Sequence, residues 1–195
     1  MKRLAVFLLM ITCLLGLFSC GESEYDYYEI EIEIENYGVI TAVLETKYAP
    51  KTVKNFVELV ESDFYTGLEF HRIINGFMMQ GGAPKNDGSG EKPKTIKGEF
   101  KENGFENNMS HLRGTLSMAR ADDMDSASTQ FFIMHQDGTY LDGKYAAFGR
   151  VTKGIEIVDT ICTTTPVIDS NGSVPQGYRP IIKEIRITNK YNEEK

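Results

Sequence analysis

Cysteine, histidine and basic charge are all scarce in this sequence, and each scarcity removes a class of function. Of the three cysteines, Cys13, Cys20 and Cys162, only Cys162 is left free under the reading of the leader given below, so no disulfide is expected within one chain. The three histidines, His71, His111 and His135, form no group with Cys, Asp or Glu at metal-ligand spacing, so neither a metal nor another cofactor is expected. His111 and His135 also read as lone residues without a matching acid and nucleophile, which argues against a hydrolase triad. Lys and Arg number 21 against 28 Asp and Glu, a net charge of −7. No basic stripe or tail appears, so nucleic acid is not an expected partner. Gly81-Gly82 and Gly88-Ser89-Gly90 lack the Gly-Lys-Ser/Thr ending of a phosphate loop and read as turns. Internal repeats and a second domain are absent, and a hydrophobic fraction of 41% argues against wholesale disorder.

One apolar run is present, Leu4 to Leu17, behind Lys2 and Arg3. It is too short and too close to the terminus for a spanning helix, and it reads as the core of an export signal. It ends Leu17-Phe18-Ser19-Cys20-Gly21, which resembles a bacterial lipobox. The resemblance implies that residues 1–19 are a removable signal peptide and that Cys20 is lipidated. Residues 20–27 would then be the lipidated cysteine and a short polar tether. Cys162 is left as the free thiol and reads as a small buried apolar residue.

Residues 28–35 alternate strictly, with Tyr28, Ile30, Ile32 and Ile34 against four glutamates, the pattern of a strand with one wet face. Asn36-Tyr37-Gly38 turns the chain into a second strand with Ile40, Ala42 and Leu44 inward, giving a β-hairpin. Pro50 opens a helix whose Val53, Phe56, Val57 and Val60 share one face. Residues 69–82 are again strand-like. Residues 83–114 are polar and Gly-rich, a length that in a compact domain carries function or wraps a scaffold. Short strands are expected at 115–119, 129–134 and 145–151, a second helix at 153–161, a Gly/Pro-rich loop at 163–180 and a last strand at 181–188. Many short strands with two helices suggest a barrel with helical plugs. The domain is expected to span 28–188, with 189–195 as a polar tail.

Four blocks are more specific. They read Phe-His-Arg-Ile-Ile-Asn-Gly-Phe-Met-Met-Gln-Gly-Gly at 70–82, Gly-Thr-Leu-Ser-Met-Ala at 114–119, Thr-Gln-Phe-Phe-Ile at 129–133 and Leu-Asp-Gly-Lys-Tyr-Ala-Ala-Phe-Gly at 141–149. In this order and spacing the chain resembles the cyclophilins from about residue 28 to 188. The resemblance implies a mainly β fold, a closed eight-stranded antiparallel β-barrel capped by two α-helices. It also implies peptidyl-prolyl cis/trans isomerase activity without a cofactor, on proline-containing polypeptides.

Carried over position by position, Arg72 is the catalytic arginine and Gln80 its support. Phe77, Met78, Phe132 and Leu141 form the proline pocket. Ala119, Arg120 and Gln130 line the groove for the residues before the proline, and Tyr140 and Tyr145 stand on the rim. Arg120 stands where many members have Asn, Tyr140 where many have Trp, and Tyr145 where many have His. His71 neighbours Arg72, but strand alternation sends it to the other face, so it reads as structural. With the lipobox, the resemblance implies a monomer held to a membrane of the bacterial cell envelope by its lipid. Its role there would be to assist the folding of envelope proteins. The competing readings are a binding module that grips proline segments without turnover, and an envelope chaperone.

Overall fold

The computed structural model describes residues 24–85 and 94–193. The leader, Cys20 and Gly88-Ser89-Gly90 lie outside the described residues. Eight strands form one antiparallel sheet. They are β1 (Tyr27–Ile34), β2 (Gly38–Glu45), β3 (Phe70–Ile74), β4 (Met78–Gly81), β5 (Thr115–Met118), β6 (Phe131–Met134), β7 (Ala147–Lys153) and β8 (Ile182–Tyr191), with helices α1 (Pro50–Glu61) and α2 (Ile155–Thr164). Their order across the sheet is β3-β4-β6-β5-β7-β2-β1-β8.

The alternation of β1 does what period-2 patterning dictates. Tyr28, Ile30, Ile32 and Ile34 are buried and the glutamates between them face outward. The concave side of the curled sheet is filled by Ile32, Leu44, Phe131, Ile133 and Phe148, together with Val53 and Phe56 of α1 and Val158 and Ile161 of α2. α1 begins at a proline and has no side-chain cap of its own. Its orphan N–H groups are met from afar. Buried Glu99 accepts from the backbone N–H of Lys51 (3.0 Å) and Thr52 (2.8 Å) and from the Thr52 hydroxyl (2.8 Å). A carboxylate at this end also suits the helix dipole. The polar stretch after residue 83 therefore clamps a helix as it wraps the scaffold. Asn107 ties the same segment to the sheet by donating to the carbonyls of Glu99 and Ala147.

The sheet does not close into the expected barrel: it is an open, curled sheet with β3 and β8 as its edges. The edges meet only at their ends. Gly67 N–H donates to Ile182 O and Ile182 N–H to Leu68 O, both at 2.8 Å, and Phe70 N–H donates to Pro180 O. Beyond that point β3 pairs with the loop at 171–174 instead, through Ile73 N–H to Gly172 O (2.8 Å) and Val174 N–H to His71 O (3.0 Å). Pro175 and Pro180 offer no N–H to extend a ladder, so a loop fills the seam.

Several boundaries also differ from the pattern-based expectation. The strand-like stretch 69–82 is a hairpin turning at 75–77, and α2 runs to Thr164. β6 starts only at Phe131, and β7 spans Ala147–Lys153 rather than 145–151. Tyr27 pairs with Tyr191, so residues 27 and 189–191 belong to the sheet rather than to tether and tail.

Candidate functional site

Strand register assembles the site. Arg72 on β3 lies opposite Gln80 on β4, Gln80 opposite Phe132 on β6, and Phe132 opposite Ser117 on β5. Directly paired residues share a face, so these four form one row across four strands. The neighbouring row, Ile73, Met79, Ile133 and Leu116, enters the main core. The first row thus belongs to the outer face, where Met78, Phe132, Met134 and Leu141 make a second small apolar cluster flanked by Ile74, Phe77, Ala119 and Tyr145.

That cluster floors a pocket of about 180 Å³ lined by Arg72, Phe77, Met78, Gln80, Ala119, Arg120, Phe132, Leu141 and Tyr145. The structure brings nine of the eleven anticipated site residues to this one cavity. Gln130 lines the adjoining, polar pocket of about 210 Å³, which shares Gln80, Ala119 and Arg120 with the first and adds Ser126, Ser128 and Thr129. Tyr140 lines neither. It is 62% exposed, with its ring 5.9 Å from that of Phe77, and stands at the edge of the apolar pocket.

The Arg72 guanidinium is fixed in place. Nε donates to the carbonyl of Asn171 at 2.8 Å and Nη1 to Gln80 Oε1 at 3.1 Å. The Gln80 amide is itself oriented, since Nε2 donates to Gln130 Oε1 at 2.9 Å. Partial burial pulls the Arg72 pKa down from its usual value, opposed by Tyr145, Asp169 and Tyr140. An arginine starts so far above neutrality that it stays charged. Arg120 is equally constrained. Nε donates to Lys144 O, Nη1 donates to Ala121 O and Asp122 O, and the guanidinium carbon lies 4.8 Å from the Tyr145 ring centre and 5.1 Å from that of Phe100.

Two features escaped the reading of the sequence. Asn171 acts on Arg72 through a backbone carbonyl, which carries no residue signature. The available sign was the Asp169-Ser170-Asn171-Gly172 turn, closed by Ser173 N–H on Asp169 Oδ1. The histidines, moreover, are not lone. His111 Nδ1 lies 2.8 Å from Asp142 Oδ1 and its Nε2 2.9 Å from Ser117 Oγ, and His135 Nε2 lies 3.4 Å from Asp159. The expectation of missing partners is corrected. Ser117 and His111 are wholly buried, with the His111 ring stacked on Phe132, so no substrate can reach this line of groups as a nucleophile. His71, at the bulge in the β3–β4 pairing, is buried away from the pocket lining.

Comparison with known proteins agrees with this geometry. The family model described as cyclophilin type peptidyl-prolyl cis-trans isomerase/CLD matches residues 29–190. Peptidyl-prolyl cis-trans isomerase B of Bacillus subtilis is 38% identical over 154 residues, covering 79% of this chain and 94% of that protein. Peptidyl-prolyl cis-trans isomerase A of Dickeya dadantii is 46% identical over 129 residues, 64% of this chain and 66% of its own length. Among solved structures, a cyclophilin type peptidyl-prolyl cis-trans isomerase of Cryptosporidium parvum superposes with a TM-score of 0.73 at 30% identity, over 84% of this chain and 99% of that one. An outer-face apolar pocket beside a pinned arginine, on an eight-stranded curled sheet with this family match over residues 29–190, places the chain in the cyclophilin-type peptidyl-prolyl cis-trans isomerases.

Proposed function

We propose that this chain accelerates rotation about X–Pro bonds with Arg72 as its catalytic residue and the adjoining apolar pocket as its grip on the proline ring. The observation that carries the reading is the guanidinium held by Asn171 O and Gln80 Oε1 at the wall of that pocket. Amide resonance sets a barrier of about 18–20 kcal/mol. In the twisted state the proline nitrogen regains a lone pair and accepts a hydrogen bond that neither planar isomer can accept. A fixed donor there binds the transition state selectively. One such donor is worth about 2.7–4 kcal/mol; the rest comes from holding the ring in Phe77, Met78, Phe132 and Leu141 while the other side turns. The Cryptosporidium parvum relative was also crystallised in the presence of the dipeptide Ala-Pro.

Arg72→Ala should lower kcat/KM on a proline peptide by about 10²-fold or more with the fold intact by circular dichroism. Equal turnover by variant and parent would remove Arg72 from the chemistry. A parent that binds proline peptides without accelerating exchange would instead be a binding module or chaperone.

The setting is part of the same proposal: residues 1–19 as a signal, Cys20 as the lipidated residue and the cell envelope as the site of action on folding clients, as a monomer. The Leu17-Phe18-Ser19-Cys20 sequence supports it. Among the described residues no helix is long and apolar enough to cross a membrane. Fatty-acid labelling that survives Cys20→Ser would overturn the anchor.

A further inference from the structure

The groove carries a charge opposite to that of the chain. The sequence holds a net −7, yet among the described residues lining the two adjoining pockets there is no Asp or Glu, and there are two arginines. Acids do lie near, Asp122 two residues along the chain among them, but none of their carboxylates lines either pocket. Asp169 accepts from Ser173 N–H, Asp123 from Asp125 N–H, and Asp125 from Gly98 N–H and Asn103.

Arg120 cannot swing away to neutralise itself elsewhere. Three donations to backbone carbonyls hold it, and two aromatic rings lie against it. Its Nη2 has no hydrogen-bond partner among the described residues. Arg120 borders both cavities, so its charge stands on the ridge between the apolar pocket and the polar pocket lined by Ser126, Ser128, Thr129 and Gln130.

An extended chain advances about 3.3–3.6 Å per residue. A peptide with its proline in the first pocket therefore carries a neighbouring side chain over this ridge.

We infer that Arg120 is a specificity-determining residue that selects proline segments bearing a carboxylate side chain one or two residues before the proline. This inference rests on the isomerase reading and adds to it a class of substrate. A carboxylate meets a preorganised guanidinium edge there and a polar pocket beyond it. An ammonium meets two fixed positive charges with no acid among the groove-lining residues. The discrimination is electrostatic, so it falls with ionic strength.

The test is exchange NMR with the full chain on two peptide series, Ala-Xaa-Pro-Phe and Xaa-Ala-Pro-Phe, where Xaa is Glu, Gln or Lys, at low and at high salt. In at least one series kcat/KM should rank Glu above Gln above Lys, with a spread of about five- to tenfold at low salt. Arg120→Gln should flatten the ranking whatever it does to absolute rates, and Arg120→Lys, which keeps the charge, should retain part of it. A flat ranking in both series, or one that survives Arg120→Gln, overturns the inference. Turnover of the Gln peptides tests the isomerase reading separately. If no peptide turns over, that reading falls, and the same ranking or its absence is read from peptide Kd by titration.

Discussion

His111 has both ring nitrogens occupied, and the arrangement fits one tautomer. Nδ1–H donates to the Asp142 carboxylate, and Nε2 accepts from the Ser117 hydroxyl. Burial lowers the His111 pKa and outweighs the carboxylate, which pulls the other way. A depressed histidine stays neutral in the folded protein while the unfolded chain takes up a proton below about pH 6.5. Its contribution to stability is therefore complete above that pH and is lost as pH falls below it. Asp142 acts in a lower window. Burial works to raise its pKa, but Ser110 and the His111 backbone and ring prevail and leave it depressed, so its contribution fades below about pH 3.9. Urea midpoints should fall between about pH 7 and 5 in the parent. The slope across that interval should be visibly smaller in His111→Gln. An unchanged slope would mean that His111 does not set it. None of this could be read from the chain. Asp142 is 31 residues from His111 and Ser117 is 6, and only folding brings them together. Arg72, Phe77, Met78 and Gln80 were legible because one hairpin carries all four within nine residues.

At the scale of elements, the loop at 163–180 does more than connect α2 to β8. It fills the seam beside β3 and supplies the carbonyl that holds Arg72. Gly172 makes this approach possible. Its φ is +82°, and a Cβ there would sit 2.3 Å from Ile73 O, so any side chain must push the turn off the strand. Gly172→Ala should lower kcat by about tenfold or more, since small misplacements of a catalytic group are expensive. KM should change less than kcat, because the atoms nearest a Cβ at Gly172 belong to Ile73 and Ile74 rather than to Phe77, Met78, Phe132 or Leu141. A KM effect without a kcat effect would contradict the positioning role of the Asn171 carbonyl. β1, β2 and α1 were legible because period 2 and period 3.6 leave clear marks on the order of residues. This loop showed only glycine, proline and asparagine, which announce a turn without saying what the turn touches. The cap of α1 by Glu99 was hidden for the same reason, since one glutamate in a polar stretch looks like any other.

Across the whole molecule the two ends of the described chain are fastened together. Tyr27 and Tyr191 stack at 5.0 Å, Asp26 N–H donates to Asn192 Oδ1, and Glu193 N–H donates to Asp26 Oδ2. The last residues look like a polar tail, and their backbone pairing with β1 leaves no mark on composition. Removing residues 189–195 should therefore lower the thermal midpoint by about 2–4 °C, as losing about 1 kcal/mol does in a domain of this size. A midpoint equal to the parent's would return those residues to the status of a tail. Seven strand-like stretches were legible in the pattern and the count of eight came from the resemblance; the open seam was not legible, because closure depends on which partner β3 meets after Phe70.

The interleaving of the two strand rows also shapes how such a protein can change over generations. Arg72, Gln80, Phe132 and Ser117 alternate with Ile73, Met79, Ile133 and Leu116, so adjacent codons answer to different selective pressures. A change in the first set acts on the pocket or on what holds it, whereas a change in the second opens a gap or a clash in the filled interior. A library randomised at Arg120, Gln130 and Tyr145 would sample new preferences on a chassis whose filled interior it never enters.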